Sequence, residues 1–84
     1  MGRRRPRVPR RLEVELDLHG VRHVDVGDVV HRFVNDHWVP GWRLLIITGD
    51  SSEMRRLVAG ILRMYDVDWW ESEWNLGVVV VDIS

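Results

Sequence analysis

The stretch WRLLIITGDSSEMRRLVAGIL, residues 42–62, decides the fold. Its first part, Trp42 to Thr48, is nearly unbroken apolar sequence, which predicts a strand buried on both faces, as in a parallel sheet. Gly49-Asp50-Ser51-Ser52 then interrupts with turn-forming residues, and Ser51 or Ser52 is the natural N-cap of a helix. Met54, Leu57, Val58, Ile61, Leu62 and Tyr65 fall at i, i+3, i+4, i+7, i+8 and i+11, the stripe of an amphipathic helix.

The flanks repeat the pattern. Leu12, Val14, Leu16 and Leu18 alternate with Glu13, Glu15, Asp17 and His19, the period of a half-buried strand. Val26, Val29, Val30, Phe33, Val34 and Trp38 form a second helical stripe, with Asp25 expected as N-cap and Asp28 as an acid complementing the first-turn dipole. Gly27 and the many valines make this helix poor by propensity, so packing must hold it, and Pro40-Gly41 ends it. Val67 to Trp74 reads as a third strand, Asn75-Leu76-Gly77 as a turn and Val78 to Ile83 as a fourth strand. The resulting βαβαββ order predicts an α/β fold arranged as a two-layer α+β sandwich. Its four-stranded sheet is expected to be mostly parallel with right-handed crossovers, closed by an antiparallel hairpin and carrying two helices.

Eighty-four residues make one small domain, which buries roughly 60–65 % of its unfolded surface. With no cysteine, neither a disulfide framework nor a thiolate metal site is available. No run of 18 apolar residues is present, and the basic N-terminus lacks a following apolar segment, so no membrane partner is expected and cytoplasmic is the default location. The overall charge of −1 hides an asymmetry. Residues 1–11 carry Arg3, Arg4, Arg5, Arg7, Arg10 and Arg11 and no acid. Residues 12–84 carry six arginines against thirteen acids, a net −7. The chain therefore divides into a flexible basic arm, of a kind that contacts phosphate backbones or is simply solvated, and an acidic domain. Every basic side chain other than histidine is arginine, which suits bidentate phosphate contact.

Two loops carry the candidate chemistry. Leu16-Asp17-Leu18-His19-Gly20 ends the first strand with a carboxylate and an imidazole two residues apart, predicted to project together where Gly20 releases the chain. Such a pair serves proton transfer, and it serves equally as a hydrogen bond that closes a loop. Thr48-Gly49-Asp50-Ser51-Ser52 leads into the second helix, whose free N–H groups favour an anion, with Arg55 and Arg56 in the first turn adding charge. Ligands of open α/β sheets bind beyond the C-terminal ends of the parallel strands, where both loops are expected.

These motifs resemble the small MutS-related (Smr) domain. LDLHG stands intact at 16–20, the Thr-Gly of a TGxGxxG signature stands at 48–49, and Asn75-Leu76-Gly77-Val78 matches a turn glycine before the last strand. Ser51 and Met54 replace the later glycines of the second signature. The resemblance spans about residues 12–84. It implies a fold like the C-terminal domain of translation initiation factor 3, nucleic-acid binding, and an endonuclease that nicks DNA or cleaves RNA. Asp17 and His19 carry over as catalytic residues, and Gly20, Thr48, Gly49, Ser51, Ser52, Arg55 and Arg56 form the phosphate-binding set beside them. Acid–base work by His19 with Asp17 orienting it needs no cofactor, whereas a divalent metal, magnesium or manganese, on Asp17 is the other mechanism.

Two further classes of function remain beside this one. The altered second signature and the acidic domain suit a non-catalytic adaptor that binds RNA, a ribosome or a protein partner. Five tryptophans suit an oligomer formed through the third strand, where Trp70 and Trp74 are predicted on one face and Trp69 on the other, and exposed indoles there would also stack on bases. His23, His31 and His37 lack metal-ligand spacing and read as residues of a solvated helix.

Overall fold

The computed structural model of the chain describes residues 12–83; the arginine-rich arm, residues 1–11, lies outside the described residues, as does Ser84. The elements are β1 (Glu13–Asp17), α1 (His23–Asp36), β2 (Arg43–Ile47), α2 (Ser52–Leu62), β3 (Asp68–Glu71) and β4 (Val78–Asp82), in the βαβαββ order expected. They form a two-layer α+β structure with one four-stranded sheet, ordered β1-β2-β4-β3.

The expectation of a mostly parallel sheet is corrected. Only β1 and β2 pair parallel, with Glu13 opposite Arg43 and Asp17 opposite Ile47. The hairpin's second strand, β4, inserts between β2 and β3 and runs antiparallel to both. Its four consecutive valines explain the position: a strand apolar on both faces gains most in the middle of the sheet, with both edges hydrogen-bonded. β1 and the shorter, more polar β3 are left at the edges, where exposed carboxylates discourage pairing with other chains.

Pleating sends Leu44, Ile46, Val79 and Val81 to one face, against Val26, Val30, Phe33 and Val34 of α1 and Met54, Val58, Ile61 and Leu62 of α2. Val14, Leu16 and Trp69 pack on the rim of this cluster. On the opposite face Leu45 and Ile47 are only half-buried, so β2 is covered by helices on one side and not on two. Both helices sit over the same face, and the other face keeps the hydrophobic-in, polar-out character of a two-layer sheet only at its edge strands, where Glu13, Glu15, Asp17 and Asp68 are exposed.

Helix ends differ from expectation at α1 and agree at α2. α1 starts at His23, with extended Arg22 as N-cap and no side-chain capping bond. Asp25 is therefore in the first turn, where its carboxylate meets Arg22 Nε at 3.2 Å, and Asp28 lies beyond that turn. α2 is capped by Ser51, whose Oγ accepts from the Met54 N–H at 3.0 Å. The third strand is also shorter than expected. Ser72 Oγ accepts from the N–H groups of Trp74 (3.2 Å) and Asn75 (3.0 Å), turning the chain after Glu71. Trp74 consequently stands in the turn and not on a strand face shared with Trp70.

Candidate functional site

The parallel register of β1 and β2 brings their C-terminal ends side by side, and β3 runs the same way. Three turns thus meet at one edge of the sheet: residues 18–22, 48–51 and 72–77. Main-chain bonds lock them together. The Leu18 N–H donates to Ile47 O (3.0 Å), and the N–H groups of Thr48 (2.6 Å) and Gly49 (3.1 Å) donate to Gly77 O. The buried Thr48 hydroxyl donates to the same Gly77 oxygen at 3.0 Å. Gly77 and Gly49 both have positive φ, +83° and +70°, and a Cβ on Gly77 would lie 2.7 Å from Gly49 O. The two glycines are backbone packed on backbone, a contact no other residue at 77 permits.

Asp17 ends β1, and its Oδ1 accepts from the His19 N–H at 2.8 Å. The carboxylate expected to orient the imidazole is bonded instead to the main chain of residue 19, in an Asx-type turn. Leu18, between them, is anchored in the core at 1 % exposure, and Gly20 at φ +82° lets the chain leave. His19 is exposed at the head of this turn. The structure therefore holds the position of residue 19 from both sides while leaving its ring open to solvent.

In the second turn Thr48 and Gly49 are structural locks, Ser51 is a cap, and Ser52 is the exposed first residue of α2. The Met54 side chain lies in the core at 6 % exposure, so the position where the resembled signature has glycine is used here for packing. Arg55 is half-buried. Its Nη1 donates to Gly49 O at 3.2 Å and its Nε lies 3.7 Å from Glu71 Oε1, tying the turn to β3 and drawing the guanidinium sideways from the helix end. Arg56 is exposed. Asp50, Arg55, Glu71, Ser72, Leu76 and Gly77 line a cleft of about 230 Å³ between the second and third turns. Two carboxylates and one guanidinium there leave little attraction for an anion.

The remaining histidines are placed by local bonds. His31 Nδ1 lies 2.6 Å from the Tyr65 hydroxyl, which also accepts from Asn35 Nδ2 at 3.1 Å, joining α1 to the end of α2. His37 Nδ1 meets Phe33 O at 2.8 Å. Both rings are half-buried, which corrects their reading as solvated; His23 is exposed. Among the described residues no group of three or more His, Cys, Asp or Glu is placed to hold a metal ion, and no helix is long and apolar enough to cross a membrane.

Sequence reasoning missed the Arg55–Glu71 tie and the Gly49–Gly77 contact, both of which join residues far apart in the chain. A glycine inside an otherwise apolar segment, Leu76-Gly77-Val78, is the signal for the second. No family model matches the chain, and neither the curated proteins nor the solved structures contain a match to it.

Proposed function

We propose that this chain is a nucleic-acid-binding domain of the small MutS-related type, acting in the cytoplasm, in which His19 meets a phosphodiester at the edge formed by the three turns. The observation that carries the reading is the parallel register of β1 on β2, which brings the turn bearing the exposed His19 to the same end of the sheet as the turn that leads into α2. His19 serves as the proton-transfer group on the attacking or leaving oxygen. Asp17 is a positioning residue, since it holds the main chain of residue 19. The first N–H groups of α2 and the Ser51 hydroxyl hydrogen, left over after its oxygen caps Met54, are the donors for a phosphate oxygen.

A magnesium or manganese ion would find one protein carboxylate here and would need substrate phosphates to complete its shell. Asp17 is the only carboxylate of the LDLHG turn, and one of its oxygens is already engaged by the His19 N–H. The reaction is therefore assigned to the protein's own groups. Long-range attraction falls to residues 1–11, because the edge itself mixes Arg55 and Arg56 with Asp17, Asp50 and Glu71. If all six arm arginines neutralise phosphates of a single strand, log K falls with log salt with a slope of about −4.

The test incubates the purified chain with supercoiled plasmid and end-labelled single-stranded RNA, with magnesium or with EDTA, beside His19→Ala, Asp17→Asn and Asp17→Ala. Cleavage that persists in EDTA, vanishes in His19→Ala and survives in Asp17→Asn, whose amide oxygen still accepts from His19, supports the assignment. Cleavage unchanged in His19→Ala refutes it. The second reading, a non-catalytic adaptor, is favoured by the Met54 side chain in the core. It is supported by RNA binding without cleavage that survives His19→Ala and is lost on deleting residues 1–11.

A further inference from the structure

At the outer end of β3 two indoles stand apart from the core. Trp70 is 41 % exposed and Trp74 is 91 % exposed. Together with Glu71, Ser72 and Glu73 they line an open cleft of about 410 Å³, within the roughly 300–1,000 Å³ range of ligand sites. We propose that this cleft binds the arginine side chain of a partner peptide.

Three observations point to that chemistry. Two of the lining residues are tryptophans and both charged ones, Glu71 and Glu73, are acidic, a combination that attracts a cation through both the ring faces and the charge. Trp70 already stacks with a guanidinium of the chain itself, Arg43 Cζ lying 5.7 Å from its ring centroid, so the free indole face assigned to the incoming side chain is that of Trp74. The turn is built to hold Trp74 outward, because Ser72 Oγ fixes the N–H groups of Trp74 and Asn75. A large apolar ring is thereby kept in water, and its burial energy stays available to a ligand that covers it.

The carboxylates separate this ligand from a nucleic acid. Glu71 faces Arg55 across 3.7 Å and is partly neutralised, so Glu73 is the group assigned to the incoming guanidinium. A base stacked on these indoles would bring a phosphate to a cleft lined by Glu71 and Glu73, whose negative charge repels it. A planar guanidinium stacks on an indole and presents a hydrogen-bonding edge to a carboxylate at once, which a lysine ammonium does not.

The experiment titrates the full 15N-labelled chain with an acetylated arginine–glycine peptide, its lysine counterpart, and a short oligothymidylate. The five indole N–H signals report each tryptophan separately. The expected result is movement of the Trp70 and Trp74 signals alone, an affinity about tenfold lower in Trp74→Ala, a several-fold loss in Glu73→Gln, and weaker binding of the lysine peptide. Trp74 is nearly fully exposed, so its removal leaves the fold intact. Unmoved indoles, or equal affinity in Trp74→Ala, overturn the proposal. Oligothymidylate that moves the same two signals and is lost in Trp74→Ala also overturns it and makes the cleft a base-stacking platform.

Discussion

Gly77→Ala tests whether the three-turn edge is held by backbone packing. At 77 a Cβ would lie 2.7 Å from Gly49 O and 2.8 Å from Gly49 C, both main-chain atoms with no flexible end to swing aside. The residue also has φ +83°, which costs an L-residue about 1–2 kcal/mol before any contact is counted. Forcing two packed segments apart adds about 1–3 kcal/mol, as for overpacking in a core. The expected loss is therefore about 2–5 kcal/mol, a large share of what a domain this small possesses. Gly20→Ala supplies the control. Its φ is nearly the same, +82°, but no heavy atom lies within 4 Å of its Cβ position, so only the conformational term of about 1–2 kcal/mol applies. Urea unfolding followed by tryptophan fluorescence measures both variants. Thermal melts should show a fall of at least ~10 °C for Gly77→Ala. Amide exchange should show weakened protection at Thr48 and Gly49, whose N–H groups both depend on the Gly77 oxygen. Equal destabilisation of the two variants would refute the steric argument and leave backbone conformation as the whole effect.

Three further outcomes are expected. Ser51→Ala removes the oxygen that caps Met54 N–H and should lower stability by about 0.5–2 kcal/mol in the same assay, whereas Ser51→Gly should cost only a few tenths. Tyr65→Phe breaks the contacts with His31 and Asn35 and should cost about 1–2 kcal/mol in urea unfolding, while the nucleic-acid affinity proposed for the loops at the other end of the sheet should stay unchanged. Leu62→Ala opens a cavity beneath α2, where Leu62 is fully buried, and should cost about 2–5 kcal/mol; a value below about 1 would show that the helix layer collapses to fill the space.

The charge layout has a functional consequence for whichever partner binds. The arm and the domain have opposite signs, so salt acts on two different surfaces. The phosphate binding proposed for the arm would weaken steeply with salt. The guanidinium proposed for the Trp70–Trp74 cleft would keep the stacking part of its energy, so its salt dependence should be shallower.

The order of elements was legible because periodicity is local: Val26 to Val34 and Met54 to Leu62 repeat at 3.6, and their apolar stripes became the core. A serine cap at 51 or 52 and the turn at Gly20 were legible for the same reason, since each is satisfied within three residues, and the structure selects Ser51. The intact LDLHG likewise marked a strand end carrying His19. Strand order was not legible. Whether β4 lies outside the hairpin or inside the sheet depends on what covers Val78 to Val81 from both edges, a question about neighbours distant in sequence. The Asp17 carboxylate turned to the main chain of His19 because the strand ends at Asp17, so the N–H of residue 19 meets that side chain and not a neighbouring strand. Arg55 turned to Gly49 and Glu71 because β3 arrives beside α2 only after the sheet is assembled. Sequence by itself thus determined the elements and which loops carry reactive side chains, because both depend on spacing and chain direction. Tertiary structure alone decided which partner each polar group meets, because that choice is made by segments that become neighbours only on folding.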